Sequence, residues 1–267
     1  MDLREYQLSK TNKADLHPWE TARLGVIRSL IKKSIKKLSP KELVIMDIGC
    51  GDLFVIKNLH KKFNFKKVLA VDTALTDEEV QALNSNFIDN KITIFNGLEK
   101  CKNEDLKVSV VLLMDVIEHV GDDRFFLNEI INLPIIDENT LFLITVPSFN
   151  YLYCSHDKFL EHYRRYSNNE IKELAESEGL KIINRGYFFS ILLIPRYYRV
   201  LKEKLTKRPK ANGQFGTDLT NWKSNKIFSY ILKLVLISDY HLSSFLRMLG
   251  IRLPGLSNFI ICRKSVL

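Results

Sequence analysis

The residues able to do chemistry fall into three groups. The first is Asp47-Ile48-Gly49-Cys50-Gly51, which follows a short apolar run, Leu43 to Met46, rich in strand formers. Glycines let a ligand approach the backbone, and a helix opening behind them offers unpaired N–H groups. Asp52 stands where a helix N-cap would, ahead of helical spacing from Leu53 to Phe63. A second acid, Asp72, follows Gly51 by 21 residues, the distance at which a carboxylate can reach ribose hydroxyls in nucleotide folds. The second group is Asp115-Val116-Ile117-Glu118-His119-Val120. The third runs from Ser155 to Tyr166 and holds His156, His162, Tyr163, Arg164 and Arg165. A neutral imidazole can take the proton of a hydroxyl, and paired guanidiniums can fork onto a phosphate or carboxylate.

These groups need a frame, and the hydrophobic pattern supplies one. Strands are predicted at Leu43–Met46, Lys67–Val71, Lys91–Phe95, Ser109–Met114, Thr140–Val146, Leu180–Phe189 and Ser257–Arg263. A helix opens at His17-Pro18, with Leu24, Ile27, Ile31, Ile35 and Leu38 on one face, and Pro40 ends it. Another spans Thr76–Asn84, and Ser167-Asn168-Asn169-Glu170 is a capping box for a helix ending at Gly179. Alternating strands and helices call for a parallel sheet covered on both faces. Ligands of such sheets bind at the carboxyl ends of the strands, where Asp47, Asp72, Asn96, Asp115 and Pro147 fall.

Asp-x-Gly-x-Gly at a strand end resembles motif I of the class I S-adenosylmethionine (SAM) methyltransferases. A dinucleotide fingerprint would require a third glycine where Phe54 stands, which argues against NAD. Asp115 to Val120 is similar to the post-strand motif of the branch containing ubiquinone-pathway O-methyltransferases. Ser155 to Tyr166, with His17-Pro18-Trp19-Glu20, looks like segments of bacterial methyltransferases of envelope glycan and lipid pathways. The resemblance covers residues 15–190 and the last strand.

It implies an α/β, Rossmann-like class I methyltransferase fold: a seven-stranded, mostly parallel sheet flanked by helices, with a helical insertion before the last strand. The implied units are an N-terminal helical cap (1–40), a SAM-binding core (41–189), a basic amphipathic insertion (190–256) and a closing strand (257–267). SAM, leaving as S-adenosylhomocysteine, would be held by Asp47, Gly49, Gly51, Asp72, Asn96 and Asp115. His119, His156 and His162 are the implied catalytic groups; Arg164, Arg165, Tyr166 and Trp19 would meet the acceptor. That acceptor is a small or lipid-linked molecule, sugars included, methylated on a hydroxyl in preference to an amine. Similar ubiquinone-pathway enzymes hold a divalent cation with the acids and His of this motif. Asp115 is one carbon shorter than the Glu expected first, so the expectation is no metal, with His119 bordering the acceptor pocket. Metal-assisted methylation of a quinone or phenol is the alternative.

A chain of 267 residues with 46% hydrophobic content supports one full core with an elaboration. Cys50, Cys101, Cys154 and Cys262 show no CxxC spacing, so neither a zinc site nor a disulfide framework is indicated. The polar start, Met1-Asp-Leu-Arg-Glu-Tyr, lacks a signal peptide's apolar core, which predicts a cytoplasmic protein. The net charge of +9 is concentrated: residues 190–267 hold 14 Lys and Arg against 3 Asp and Glu. Ile191–Ile194 stops at Pro195, far short of the ~20 residues that span a bilayer. Over Trp222–Ile237, Lys226, Ser229 and Lys233 line a narrow stripe and apolar residues cover the rest. Such a helix can lie against an anionic membrane, here its inner face; packing over the core or at a dimer contact competes with that. A nucleic-acid methyltransferase or binding protein also fits a basic chain. Against it, no Asn-Pro-Pro-Tyr-type motif follows strand four, and the basic residues are interleaved with long apolar stretches.

Overall fold

The computed structural model describes residues 17–36, 38–86, 90–102, 104–206 and 225–265. Helix α1 (Pro18–Ser34) opens as its sequence dictates: Pro18 fills the first turn and His17 Nδ1 accepts from the Trp19 amide at 3.1 Å. It closes at Ile35, which stays buried. Leu38, expected on the same face, is 49% exposed because the helix has ended before reaching it.

Seven strands follow: β1 (Val44–Ile48), β2 (Lys67–Val71), β3 (Ile92–Phe95), β4 (Val110–Met114), β5 (Leu141–Pro147), β6 (Leu180–Phe188) and β7 (Ser257–Lys264). They form one sheet in the order β3-β2-β1-β4-β5-β7-β6. The first five run parallel, and β7 lies antiparallel between β5 and β6. β1 runs one residue beyond Asp47, so that acid sits inside the strand, in register with Ala70 and Leu112. Pro147 is the last residue of β5, where a missing N–H matters least.

Successive side chains of β1 point to opposite faces. Ile45 joins a core with α1 and α2 (Phe54–Phe63), while Met46 joins another with α4 (Asp123–Ile131) and α6 (Asn168–Ser177). Between them lie α3 (Asp77–Asn86) and the short α5 (Ser155–Phe159). Helix α6 carries the expected capping box, Ser167 with Glu170. Leu112 and Leu113, both fully buried on opposite faces, each contribute about 1.5–3 kcal/mol.

Among the described residues, the α-helices α7 (Leu193–Thr206) and α8 (Lys226–Met248) stand between β6 and β7. The apolar run ends at Pro195-Arg196 as expected, but the helix does not: Pro195 occupies the first turn of α7, where an N–H has no intrahelical acceptor. The start of the apolar segment expected at Trp222 lies outside the described residues, and α8 continues well past Ile237. It packs along α1: Tyr240 donates to Ser29 Oγ at 3.4 Å, and Lys33 Nζ donates to Ser244 Oγ at 3.1 Å. Among the described residues no helix is long and apolar enough to cross a membrane.

Candidate active site

Beyond β1 the chain turns through Gly49 (φ 71°) and Gly51 (φ 53°), left-handed conformations that glycine adopts without strain. At Gly49 an added Cβ would also lie 2.5 Å from Val116 Cγ2, so no side chain fits there. Asp72, at the end of β2, locks this turn: Oδ2 accepts from the Gly51 amide at 2.8 Å and Oδ1 from the Ala74 amide at 3.1 Å. Helix α2 begins at Phe54 behind Leu53, itself left-handed at φ 63°, one residue later than expected. Leu53, not Asp52, is therefore the N-cap and gives no side-chain capping bond; Asp52, one residue ahead of it, accepts from the Phe54 amide at 3.1 Å. Asn96, just past β3, donates to Asp77 Oδ1 at 2.9 Å.

Asp47 is 1% exposed, and neither carboxylate oxygen has a hydrogen-bond partner among the described residues. Burial pushes its pKa up to about 8; Arg23 opposes that shift and Asp72 adds to it. Arg23 reaches from α1 to Asp115, with Nη2 2.8 Å from Oδ2, and its guanidinium lies 5.2 Å over the Trp19 ring. Thr145 Oγ1 donates to the other oxygen of Asp115 at 3.1 Å. Arg23 thus ties Trp19 to Asp115, a role the sequence reading missed. Its spacing, one turn after Trp19, was the available signal.

The histidines come together from distant segments. His119, in a short 3-10 turn after β4, meets His162 edge to face, with ring centroids 4.5 Å apart. Glu118 lies beside them; one donor atom from each of Glu118, His119 and His162 falls within 4.8 Å of the others. Glu118 is fully buried with neither oxygen hydrogen-bonded among the described residues. Burial first, then the Asp115 charge, pushes its pKa well above the usual carboxylate value, toward the protonated form.

His162 Nδ1 faces Asp157 Oδ1 at 3.2 Å. Asp157 is fully buried on α5 and accepts from the Cys154 amide at 2.8 Å, from Arg165 Nε at 2.8 Å, and from Arg196 Nη2 of α7. Burial opposes its charge, but His162, the two guanidiniums and the amide together hold its pKa far below the usual range. The neighbouring His156 is neutral: burial, then the charge of Arg196, lowers its pKa to about 4. A ring with Nδ1–H donated to Asp157 presents its lone pair at Nε2, the form a proton acceptor needs.

The other expected acceptor contacts have partners inside the protein. Arg164 donates to Asp123 Oδ2 at 2.7 Å and to the Gly121 carbonyl at 2.5 Å. Tyr166 donates to the same Asp123 oxygen at 2.8 Å. Arg165, 5% exposed, also donates to the Ser148 carbonyl at 3.0 Å. Asp157 and Arg196, which organise the histidine pair, were invisible as partners in the sequence because 39 residues separate them.

No protein-family profile matches the chain. Over 122 residues, 42% of this chain, it is 31% identical to the ubiquinone biosynthesis O-methyltransferase of Bartonella tribocorum. The match covers 47% of that protein, so the chain spans about half the length of the curated relative. Solved structures are similar across far more of the chain. The plantazolicin methyltransferase BamL, in complex with a triazolic desmethylPZN analog and SAH, aligns over 98% of this chain and 89% of its own, with a TM-score of 0.54 and 11% identity. Coclaurine N-methyltransferase, bound to N-methylheliamine and SAH, aligns over 90% and 70%, with a TM-score of 0.51 and 12% identity. At such identities the likeness is one of architecture. With its seven-stranded sheet closed by an antiparallel β7, the chain has the fold of the class I S-adenosylmethionine-dependent methyltransferases.

Proposed function

We propose that the protein is a SAM-dependent methyltransferase that methylates a hydroxyl of a small or lipid-linked acceptor. The observation that carries the choice of oxygen is the His162–Asp157 pair, an imidazole oriented by a buried carboxylate. Asp47 supports the cofactor: a buried carboxylate with no internal hydrogen-bond donor fits a ligand that carries positive charge. In this proposal the Gly49–Gly51 turn admits the ligand to the backbone and Asp72 turns a carboxylate oxygen to its ribose. SAM supplies a methyl group already activated on a sulfonium.

The protein's own residues then have limited tasks. His162 accepts the acceptor's hydroxyl proton at Nε2, and Asp157 stabilises the resulting imidazolium. His119 walls the same space. Trp19, held by Arg23, covers it from α1. Arg164, Arg165 and Tyr166 brace the loop instead of touching the acceptor, since each is spent on Asp123 or Asp157. Helix α1 acts as the cap, the sheet with α2 to α6 as the core, and α7 and α8 as an insertion beside the acceptor; residues 1–16 of the expected cap and 207–224 of the expected insertion lie outside the described residues.

A metal-assisted reaction on a quinone or phenol is favoured by one observation, the approach of Glu118, His119 and His162. A carboxylate and two imidazoles suit a divalent transition metal or zinc, and such an ion would supply Lewis-acid polarisation. Asp115 is not available to it while Arg23 holds that carboxylate.

Calorimetry with SAM and S-adenosylhomocysteine, then methyl-labelled SAM offered to sugars, phenols, lipid-linked sugars and amines, tests the proposal. Cofactor binding is expected, with label on hydroxyl acceptors that forms about 10²–10⁴-fold more slowly in His162→Gln. Absence of cofactor binding would overturn the activity; label on amines alone would overturn the choice of oxygen.

A further inference from the structure

We infer that helices α7 and α8 form a docking surface for an anionic lipid membrane, at the end of the molecule that carries the site. The inference rests on surface chemistry and not on the methyltransferase proposal.

Helix α8 is turned inside out relative to an ordinary surface helix. Ser229, Lys233, Leu236, Tyr240 and Ser244 recur at helical spacing, and this stripe is the half-buried to buried side. Tyr240 and Ser244 make the contacts to α1, and Lys33 of α1 lies 5.7 Å over the Tyr240 ring. The polar stripe therefore faces protein. On the opposite side Ile227 is 68% exposed, Ile231 52% and Leu234 44%. Helix α7 repeats the pattern, with Ile194 and Leu205 both exposed while Arg196 is buried on Asp157. Exposed apolar surface on this scale marks an interaction site.

Charge identifies the partner. In residues 190–206 and 225–256 the acids are Glu203 and Asp239, and both are turned onto the protein. Glu203 accepts from the Ser155 amide at 2.9 Å and its hydroxyl at 2.6 Å, while Asp239 accepts from the Ser190 amide at 2.8 Å. Lys202, Lys204 and Lys226 remain exposed beside the apolar residues. Apolar side chains flanked by outward cations, with the acids withdrawn, complement anionic headgroups over acyl chains.

Position agrees. The contacts Ser29–Tyr240 and Lys33–Ser244 advance together, so α1 and α8 run parallel. The first turns of α8 therefore project past the Trp19 end of α1, where Arg23 meets Asp115. Helix α7 starts at the same end, where Arg196 donates to the Leu152 carbonyl at 3.1 Å.

The test is co-sedimentation of the full chain with vesicles of phosphatidylcholine alone and of phosphatidylcholine mixed with phosphatidylglycerol. Binding to the anionic vesicles only, weakened by salt, is expected. Three exposed-face variants with unchanged thermal unfolding separate the components. Ile227→Asp with Ile231→Asp should abolish sedimentation, and each lysine removed by Lys202→Gln or Lys226→Gln should weaken partition about fivefold. Equal binding to neutral vesicles, no binding, or binding unaffected by the aspartates would overturn the inference. So would a dimer by sedimentation equilibrium that the aspartates dissociate, since a second copy would then cover the face.

Discussion

His162 Nδ1 stands 3.2 Å from Asp157 Oδ1, and the carboxylate that orients this ring also receives Arg165 and Arg196. A buried acid thus joins a histidine of the site, the loop behind it and the first turn of the insertion. Orientation of the ring and attachment of α7 share one anchor.

The two partners should fail differently. His162→Gln keeps a polar side chain and should leave the fold intact while lowering turnover about 10²–10⁴-fold, the usual share of a general base. Asp157→Asn leaves two buried guanidiniums without their counter-charge, which should destabilise the protein by about 3–5 kcal/mol. Thermal unfolding beside initial rates checks both. An Asp157→Asn variant as stable as wild type would mean the arginines find other partners.

Asp72 gives a cleaner comparison. Asp72→Asn keeps one acceptor oxygen and so one of the two bonds, to the Gly51 or the Ala74 amide, whereas Asp72→Ala loses both. If the carboxylate serves the ribose, SAM affinity should fall by about 1–3 kcal/mol in Asp72→Ala, with a smaller loss in Asp72→Asn. Calorimetry giving wild-type affinity for Asp72→Ala would remove Asp72 from the site.

What the sequence made legible was local. Strand β2 and the α6 capping box match their expected residues because apolar runs and caps are written in neighbouring positions. Boundaries slipped where the backbone does something unusual: left-handed Leu53 delays α2, and early closure at Ile35 strands Leu38. Arg164, Arg165 and Tyr166 stand out in the sequence for their chemistry, but their partners inside the protein do not. Their carboxylates, Asp123 and Asp157, come from elsewhere in the fold. The amphipathicity of α8 was legible, but which side faces protein depends on α1, and the pairs that carry that contact lie 211 residues apart in the chain.

Asp47 predicts a pH dependence with a definite sign. Its pKa stands near 8 in the native protein against 3.8 for an ordinary Asp. Between those values the native state keeps a proton that the unfolded chain has released, so rising pH destabilises the protein over that window. Above about 8 the effect is constant. Asp47→Asn lacks this ionisation, so its stability relative to wild type should climb from pH 4 to pH 8 and then level off. Urea unfolding at a series of pH values checks it; a difference independent of pH would show that Asp47 titrates normally. If the carboxylate meets the cationic cofactor, SAM affinity should also strengthen in wild type as pH rises through that range.

The Glu118–His119–His162 cluster yields the sharpest division between mechanisms. Burial, then the Asp115 charge, raises the Glu118 pKa, and a carboxyl that favours its proton is a poor cation ligand. Arg23 occupies Asp115, the other acid of the motif. The protein should therefore remain active in EDTA, and His119→Ala should lower activity by removing a wall of the acceptor space. A metal held by this cluster would strip the Glu118 proton on binding; with none held there, zinc titrated into wild type should release no more protons than into Glu118→Gln. Calorimetry in buffers of different ionisation enthalpy counts those protons. Activity lost in EDTA and restored by a divalent cation, with an extra proton released only when Glu118 is present, would replace the imidazole base with a metal-assisted reaction.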